Sequence, residues 1–110
     1  MSTYRIICFI PENCVTTVKE AVNKNIEPLY PHYDFVFTEM KVQGSWRPLE
    51  GANPAEGEIG KICEASEIRL EFCCKEKNLR QAIEAVKKAH PYEEPVIDAV
   101  KVLTWKDILA

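Results

Sequence analysis

The feature that most constrains the fold is an internal repeat, in which the second half of the chain copies the first. Shifting the sequence by 64 residues without a gap aligns ten pairs of identical residues. The first members of these pairs are Ser2, Arg5, Glu12, Glu20, Ala21, Val22, Lys24, Pro31, Asp34 and Val36. Helical periodicity explains part of this match, but it does not explain the prolines and aspartates. We therefore expect one structural unit to occur twice.

The first copy predicts a strand, a helix and a second strand. Residues 4–10 are rich in β-branched and aromatic residues and stop at a proline, which is typical of a buried strand. Val15, Val18 and Val22 then recur at helical spacing. Residues 33–38 are expected to form the second strand.

The second copy repeats this order of elements. Residues 67–72 alternate between apolar and charged side chains, as a half-exposed strand does. Asn78 is expected to cap a helix with one apolar stripe, and Pro91 ends that helix at His90. Residues 95–103 form the last predicted strand, and residues 105–110 a short terminal helix.

Two such units interleave as an α+β fold of the ferredoxin-like type, βαββαβ, with one antiparallel sheet and both helices on one face. The 110 residues suit a single domain, residues 1–110. Within it we expect repeat one at about residues 2–38, an irregular or hairpin insert at about 39–64, and repeat two at about 66–104.

This topology predicts where functional residues gather. Strands one and two run in one direction and strands three and four in the other, so three loops meet at one end of the sheet. These loops are residues 11–13, the insert near 44–60, and residues 90–94. Binding residues concentrate in loops on a rigid scaffold. The candidate ligand-binding residues are Trp46, Glu50, Asn53, His90, Tyr92, Glu93 and Glu94. The candidate structural loop residues are Gly51, Pro54, Gly57, Gly60 and Pro91.

Several interpretations of these loops stay open. We expect a small-molecule or ion-binding module with no catalytic residues and no metal site. The first alternative is an enzyme in which His90 acts as general base or acid with Glu93 or Glu94 orienting it. The second is a pure oligomerisation domain, in which the same motifs close turns and bury subunit edges.

The composition of the chain limits which binding partners and which cellular compartment we expect for it. The chain has 14 basic and 17 acidic residues, which gives no reason to expect a nucleic-acid partner. No apolar run approaches the ~20 residues that cross a bilayer, and the start of the chain does not look like a signal peptide. Five cysteines without a CxxC spacing indicate free thiols. We therefore expect a cytoplasmic protein that does not contact membranes.

Two motifs resemble a known family. Residues 48–54 read PLEGANP and are followed by GEIGK, and residues 90–95 read HPYEEP. Together they resemble the insertion domain of the Nif-three-like (YqfO-type) family, over about residues 4–103. The resemblance implies a CutA/PII-like fold that assembles as a homotrimer, and a regulatory or ligand-sensing role without a cofactor. The longer members bind metal ions through segments that this sequence lacks, so those ligands and any metal-dependent hydrolase activity do not carry over.

Overall fold

The computed structural model describes residues 2–110, and the elements follow one another in the order that the repeat predicts. The strands are β1 (Thr3–Ile10), β2 (Thr38–Trp46), β3 (Cys63–Lys75) and β4 (Ile97–Val102). The helices are α1 (Val15–Asn25), α2 (Leu79–Ala89) and the short α3 (Trp105–Leu109). One turn of 3₁₀ helix precedes each of the two longer helices, at Glu12–Cys14 and Glu76–Asn78.

The four strands form one sheet in the order β2-β3-β1-β4, and every neighbouring pair is antiparallel. Consequently β1 and β2 run in one direction, and β3 and β4 in the other. The α+β ferredoxin-like fold expected from the repeat is therefore confirmed. The ends of β1 and β2 and the starts of β3 and β4 lie at the same end of the sheet, which we call the site end.

The core lies between one face of the sheet and the two longer helices. Successive strand residues point to opposite faces, so alternate side chains of β1 and β3 enter this core. The helices contribute residues spaced three or four apart, which lie on one helical face. The buried apolar side chains are Ile6, Cys8, Ile10, Val15, Val18, Val22, Ile68, Leu70, Phe72, Cys74, Ala82, Ala85 and Val86.

The predicted second strand at residues 33–38 is wrong. The strand begins only at Thr38, because the preceding segment turns in a way that a strand cannot. His32 and Phe35 have φ values of 70° and 52°, in the left-handed region. The backbone N–H of Phe35 donates to Asn23 Oδ1 at 2.8 Å, and Asn23 Nδ2 donates to Asp34 Oδ2 at 3.1 Å. The segment is thus tied to α1 instead of pairing in the sheet.

The segment at 39–64 is less irregular than the sequence indicates. Strand β2 runs through it to Trp46, and β3 begins at Cys63, directly opposite Trp46. The two strands form a long hairpin, so the hairpin alternative for the insert is the correct one. Only residues 47–62 form an irregular loop, which we call the hairpin loop. The molecule is accordingly elongated, with dimensions of 52 × 25 × 24 Å.

The second helix starts as expected, but without the predicted cap. Residue Asn78 precedes α2, yet its side chain makes no capping hydrogen bond. The 3₁₀ turn at Glu76–Asn78 leads directly into α2, and the backbone N–H of Leu79 bonds to the Glu76 carbonyl instead. A side-chain cap is therefore not what begins this helix.

Candidate functional site

Two of the three predicted loops meet at the site end. The hairpin loop folds back over the sheet and reaches residues 90–96, which join α2 to β4 and which we call the second loop. The backbone N–H of Asn53 donates to Glu93 Oε1 at 2.8 Å, a charge-assisted hydrogen bond between residues 40 positions apart. The rings of Trp46 and Tyr92 lie 5.6 Å apart. The turn at residues 11–13 does not line the cleft between these two loops.

The His90 side chain fastens the second loop to the end of β1. Residue His90 is 7% exposed, and its Nε2 lies 2.7 Å from the Phe9 carbonyl oxygen. The backbone N–H of Tyr92 lies 3.2 Å from His90 Nδ1. Because a carbonyl only accepts and an N–H only donates, Nε2 carries the proton and Nδ1 is the acceptor.

Burial lowers the pKa of His90, and the hydrogen bond to the Phe9 carbonyl opposes that change. The imidazole is therefore held neutral, with both nitrogens already bonded within the protein. No nitrogen lone pair remains for a metal ion or for a substrate proton. This geometry makes His90 a structural residue of the second loop.

Two glycines shape the hairpin loop. Gly57 has φ of +102°, a backbone conformation that side-chain-bearing residues rarely adopt. A Cβ at this position would lie 3.3 Å from Cys63 Cβ and 3.4 Å from Trp46 Nε1. Gly51 has φ of +97° but has no neighbouring atom within 4 Å, so only its turn requires glycine. Gly57 therefore allows the close approach that seats the hairpin loop against the Trp46 ring.

Further backbone bonds hold the hairpin loop in place. The Trp46 indole N–H donates to the Glu56 carbonyl at 3.2 Å, and the Gly60 N–H donates to the Pro48 carbonyl at 2.8 Å. The hairpin loop is thus fixed to β2, the strand from which it departs.

In the second loop, Pro91 follows His90, the extended residue at the end of α2.

The two loops and the adjoining strands enclose a cleft of about 520 Å³. Of the candidate residues, Trp46, Tyr92, Glu93, Glu94 and Pro54 line it. Residues Glu50, Asn53 and His90 do not line the cleft; Asn53 and His90 instead hold its lining residues in position through the bonds described above. Gly51, Gly57, Gly60 and Pro91 are also absent from the lining.

Sequence reasoning missed Glu67 and Phe9, which also line the cleft. Glu67 projects from β3 on the face opposite the helices and is only 8% exposed. Its carboxylate lies over the backbone of Gly44, where any Cβ would collide with Glu67 Oε1. The alternation in β3 placed Glu67 on this face. The burial of Glu67 depends on how the loops pack over the sheet. The alternation of apolar and charged residues along β3 cannot predict that packing.

The carboxylates and the phenol of the cleft influence one another. Burial raises the pKa of Glu67, the nearby Glu56 carboxylate raises it further, and a hydrogen bond from the Tyr92 side chain opposes the rise. Burial also raises the pKa of Tyr92 to about 12, with a further contribution from Glu67. Tyr92 is therefore a neutral hydrogen-bond donor at physiological pH.

Within residues 2–110, no three His, Cys, Asp or Glu side chains come together in a way that would hold a metal ion. None of the helices in the same range has the length and the apolar character needed to cross a bilayer.

Known proteins match this chain in sequence. The profile of the family described as CutA1 divalent ion tolerance protein matches residues 59–107. A Staphylococcus epidermidis protein named GTP cyclohydrolase 1 type 2 homolog is 32% identical over 99 residues, and its Staphylococcus aureus counterpart is 30% identical. Each alignment covers 90% of this chain but 27% of the relative. The chain thus spans about a quarter of the length of these curated relatives.

Solved structures show the same fold. A Bacillus cereus protein related to NIF3 superposes with a TM-score of 0.78 at 23% identity, over 92% of this chain and 26% of its own. CutA from Archaeoglobus fulgidus superposes with a TM-score of 0.66 at 14% identity, over 91% of this chain and 83% of its own. GlnK from Bacillus subtilis superposes with a TM-score of 0.61 at 14% identity, over 93% of this chain and 86% of its own. The predicted resemblance is therefore confirmed: the chain has a CutA/PII-like fold and is similar over most of its length to one domain-sized part of NIF3-related proteins.

Proposed function

We propose that this protein is a non-catalytic regulatory module that binds a small ligand in the cleft between the hairpin loop and the second loop. The observation that carries this proposal is the cleft itself. Two loops from distant parts of the sequence are joined by the Asn53–Glu93 bond and enclose a concave site with aromatic walls. Concave, mostly apolar sites with a few converging polar groups are the usual form of small-molecule sites.

In this proposal the candidate residues divide into two groups. Trp46, Tyr92 and Pro54 supply walls that contact the ligand, and Glu93 and Glu94 supply charge. Of the remaining candidates, Asn53 and His90 hold the loops around the ligand through the bonds described above, and Glu50 lies in the hairpin loop outside the cleft lining. The engaged nitrogens of His90 favour binding over acid–base catalysis, because a general base needs a free lone pair directed at the substrate.

We further propose that the protein assembles as a homotrimer. The helices α1 and α2 cover one face of the sheet, and the other face exposes Met40 and Val100 at 57% and 48%. The end of the chain adds Leu103, at 76%, and the apolar residues of α3. Apolar area of this kind supports association between copies, and the resemblance to CutA/PII-like proteins favours three.

The assembly and the binding proposals have separate tests. Light scattering on the purified protein should give about 38 kDa, three times the 12.6 kDa chain, and a monomeric mass would contradict the trimer. Thermal-shift screening against amines, nucleotides and divalent cations should give saturable stabilisation by one class. A trimer that responds to none of these classes would favour the pure oligomerisation domain.

The proposed compartment is the cytoplasm. All five cysteines are unpaired in the described structure, and two of them, Cys8 and Cys74, are buried. Free thiols are usual where glutathione keeps cysteines reduced. Fractionation of the source cells should place the protein with cytoplasmic markers, and recovery in an exported fraction would contradict this assignment.

A further inference from the structure

The Glu67 carboxylate is a buried charge that has no cationic partner. Within residues 2–110, no Lys, Arg or His lies within ion-pair distance of it. The nearest comparable acid on the same face of β3, Glu71, is paired with Arg69 at 2.8 Å and with Arg5 at 3.5 Å. Tyr92 donates a hydrogen bond to Glu67, but burying a carboxylate without an opposite charge remains unfavourable. Glu67 is nevertheless only 8% exposed and lines the cleft.

The rest of the cleft has the same sign of charge. Glu56, Glu93 and Glu94 also line it, against a single basic residue, Arg47, which is exposed to solvent. Four carboxylates thus face one guanidinium. A phosphate-bearing ligand would meet net repulsion here, whereas a cation would be attracted.

The aromatic residues of the cleft place a second requirement on the ligand. Phe9, Trp46 and Tyr92 line the same cleft as Glu67. Aromatic faces attract cations through the ring quadrupole, most strongly where the cation is desolvated. They also bury apolar surface, which a bare metal ion does not have. The site therefore combines a buried anion with rings that suit the organic part of a ligand.

We infer that the cleft binds an organic cation, an ammonium or guanidinium group attached to an apolar body. The cationic group pairs with Glu67 and receives further attraction from Glu56, and the apolar body lies against Trp46 and Tyr92. Binding relieves the cost of burying Glu67 without an opposite charge. This inference rests on the proposed function and specifies the ligand class of the same site.

The test is a calorimetric titration of the full-length protein with benzylamine, a small ammonium with an aromatic body. Benzyl alcohol is the neutral matched probe, and ATP and magnesium chloride represent the competing ligand classes. We expect saturable binding of benzylamine, and at least ten-fold weaker binding of each of the other probes.

The decisive variant is Glu67→Gln, which keeps the shape of the side chain and removes its charge. Because a hydrogen bond to a charged group contributes about 1.5–3 kcal/mol, affinity for benzylamine should fall about ten- to hundred-fold. The matched control is Glu64→Gln, an exposed residue of the same strand on the opposite face of the sheet, which should leave the affinity unchanged. Glu56→Gln gives an independent measurement, with an expected loss of about two- to five-fold, in the range of exposed ion pairs.

The possible failures are distinguishable. Saturable binding of ATP or magnesium, with no binding of benzylamine, would overturn the organic-cation inference and leave the binding function standing. Equal affinities for wild type and Glu67→Gln would also overturn it. If no probe in the panel binds to the folded protein, the proposed binding function fails as well.

Discussion

Replacing His90 by leucine should destabilise the protein strongly, although His90 lies in a loop. Leucine fills much of the same volume but cannot bond to the Phe9 carbonyl or to the Tyr92 N–H, which His90 contacts at 2.7 and 3.2 Å. An unsatisfied buried backbone group costs about 1–3 kcal/mol. Two such groups, partly rehydrated in the variant, should lower the free energy of unfolding by about 2–4 kcal/mol.

This energy converts to a measurable shift in melting temperature. An unfolding entropy of about 2.1 cal/mol/K per residue gives about 4 °C per kcal/mol for a chain of this size. His90→Leu should therefore melt about 9–17 °C below the wild type. Differential scanning calorimetry at one protein concentration is the appropriate assay, because the melting temperature of an oligomer depends on concentration.

His90→Gln is the control for this prediction. Its amide carries both a donor and an acceptor, so it should recover part of the lost stability. A His90→Leu protein that melts within about 2 °C of the wild type would refute the account of His90 as the fastener of the second loop. Equal losses in the leucine and glutamine variants would assign the effect to packing instead of hydrogen bonding.

Three further predictions follow from the same geometry. Because the folded state lowers the pKa of His90, the free energy of unfolding should fall as the pH drops from about 6.5 towards the lowered pKa of the folded state. Urea titrations at several pH values should show a weaker pH dependence of this free energy for His90→Gln than for the wild type. The same pH dependence in both proteins would contradict the prediction. Gly57→Ala should lower the melting temperature more than Gly51→Ala, since both positions have positive φ but only Gly57 has crowded neighbours. The backbone strain of a side-chain-bearing residue at either position is about 1–3 kcal/mol. Equal shifts of the melting temperature in calorimetry would count against the close approach of Gly57 to Trp46 and Cys63. Gly44→Ala should displace the Glu67 carboxylate, with which the new Cβ collides, and should therefore weaken benzylamine binding. The melting temperature should change little, because only the end of a flexible side chain has to move. Unchanged affinity for benzylamine would mean that Glu67 does not occupy the position described.

The repeat was sufficient to predict the topology. It placed α1, α2 and β4 close to their observed bounds, and it located β3, although β3 extends beyond the predicted 67–72 at both ends. The apolar residues of α1, α2 and β3 face a shared core and so leave a periodic pattern. From the topology alone, the hairpin loop and residues 90–94 were expected at one end of the sheet. The Asn53–Glu93 hydrogen bond and the Trp46–Tyr92 contact lie at that end.

Strand β2 could not be predicted in this way. It lies at the edge of the sheet with most of its residues exposed, including Met40, Lys41 and Gln43, so no buried face imposes alternation on its sequence. The segment before it is apolar, but Phe35 adopts a left-handed conformation that its own sequence does not signal. The strand is fixed by pairing with β3, which is a long-range interaction.

The cleft lies between two loops that the sequence analysis singled out, and five of the candidate residues line it, but the roles of His90 and Glu67 were not evident from the sequence. Residue His90 looked like a functional group in the sequence, and only its contacts with Phe9 and Tyr92 reveal a structural role. Glu67 looked like an ordinary exposed acid of an alternating strand. It becomes buried because its side chain lies over Gly44 and because the loops close over that face. Both properties arise from tertiary packing, which residue spacing does not encode.

The central claim is that the hairpin loop and the second loop form one cleft, and a nuclear Overhauser experiment on the folded protein tests it most directly. With ring centroids 5.6 Å apart, the indole protons of Trp46 and the ring protons of Tyr92 should show clear cross-peaks. Absence of these cross-peaks, with the Trp46 and Tyr92 resonances assigned and the sheet contacts present, would contradict the shared cleft and the functions proposed for it.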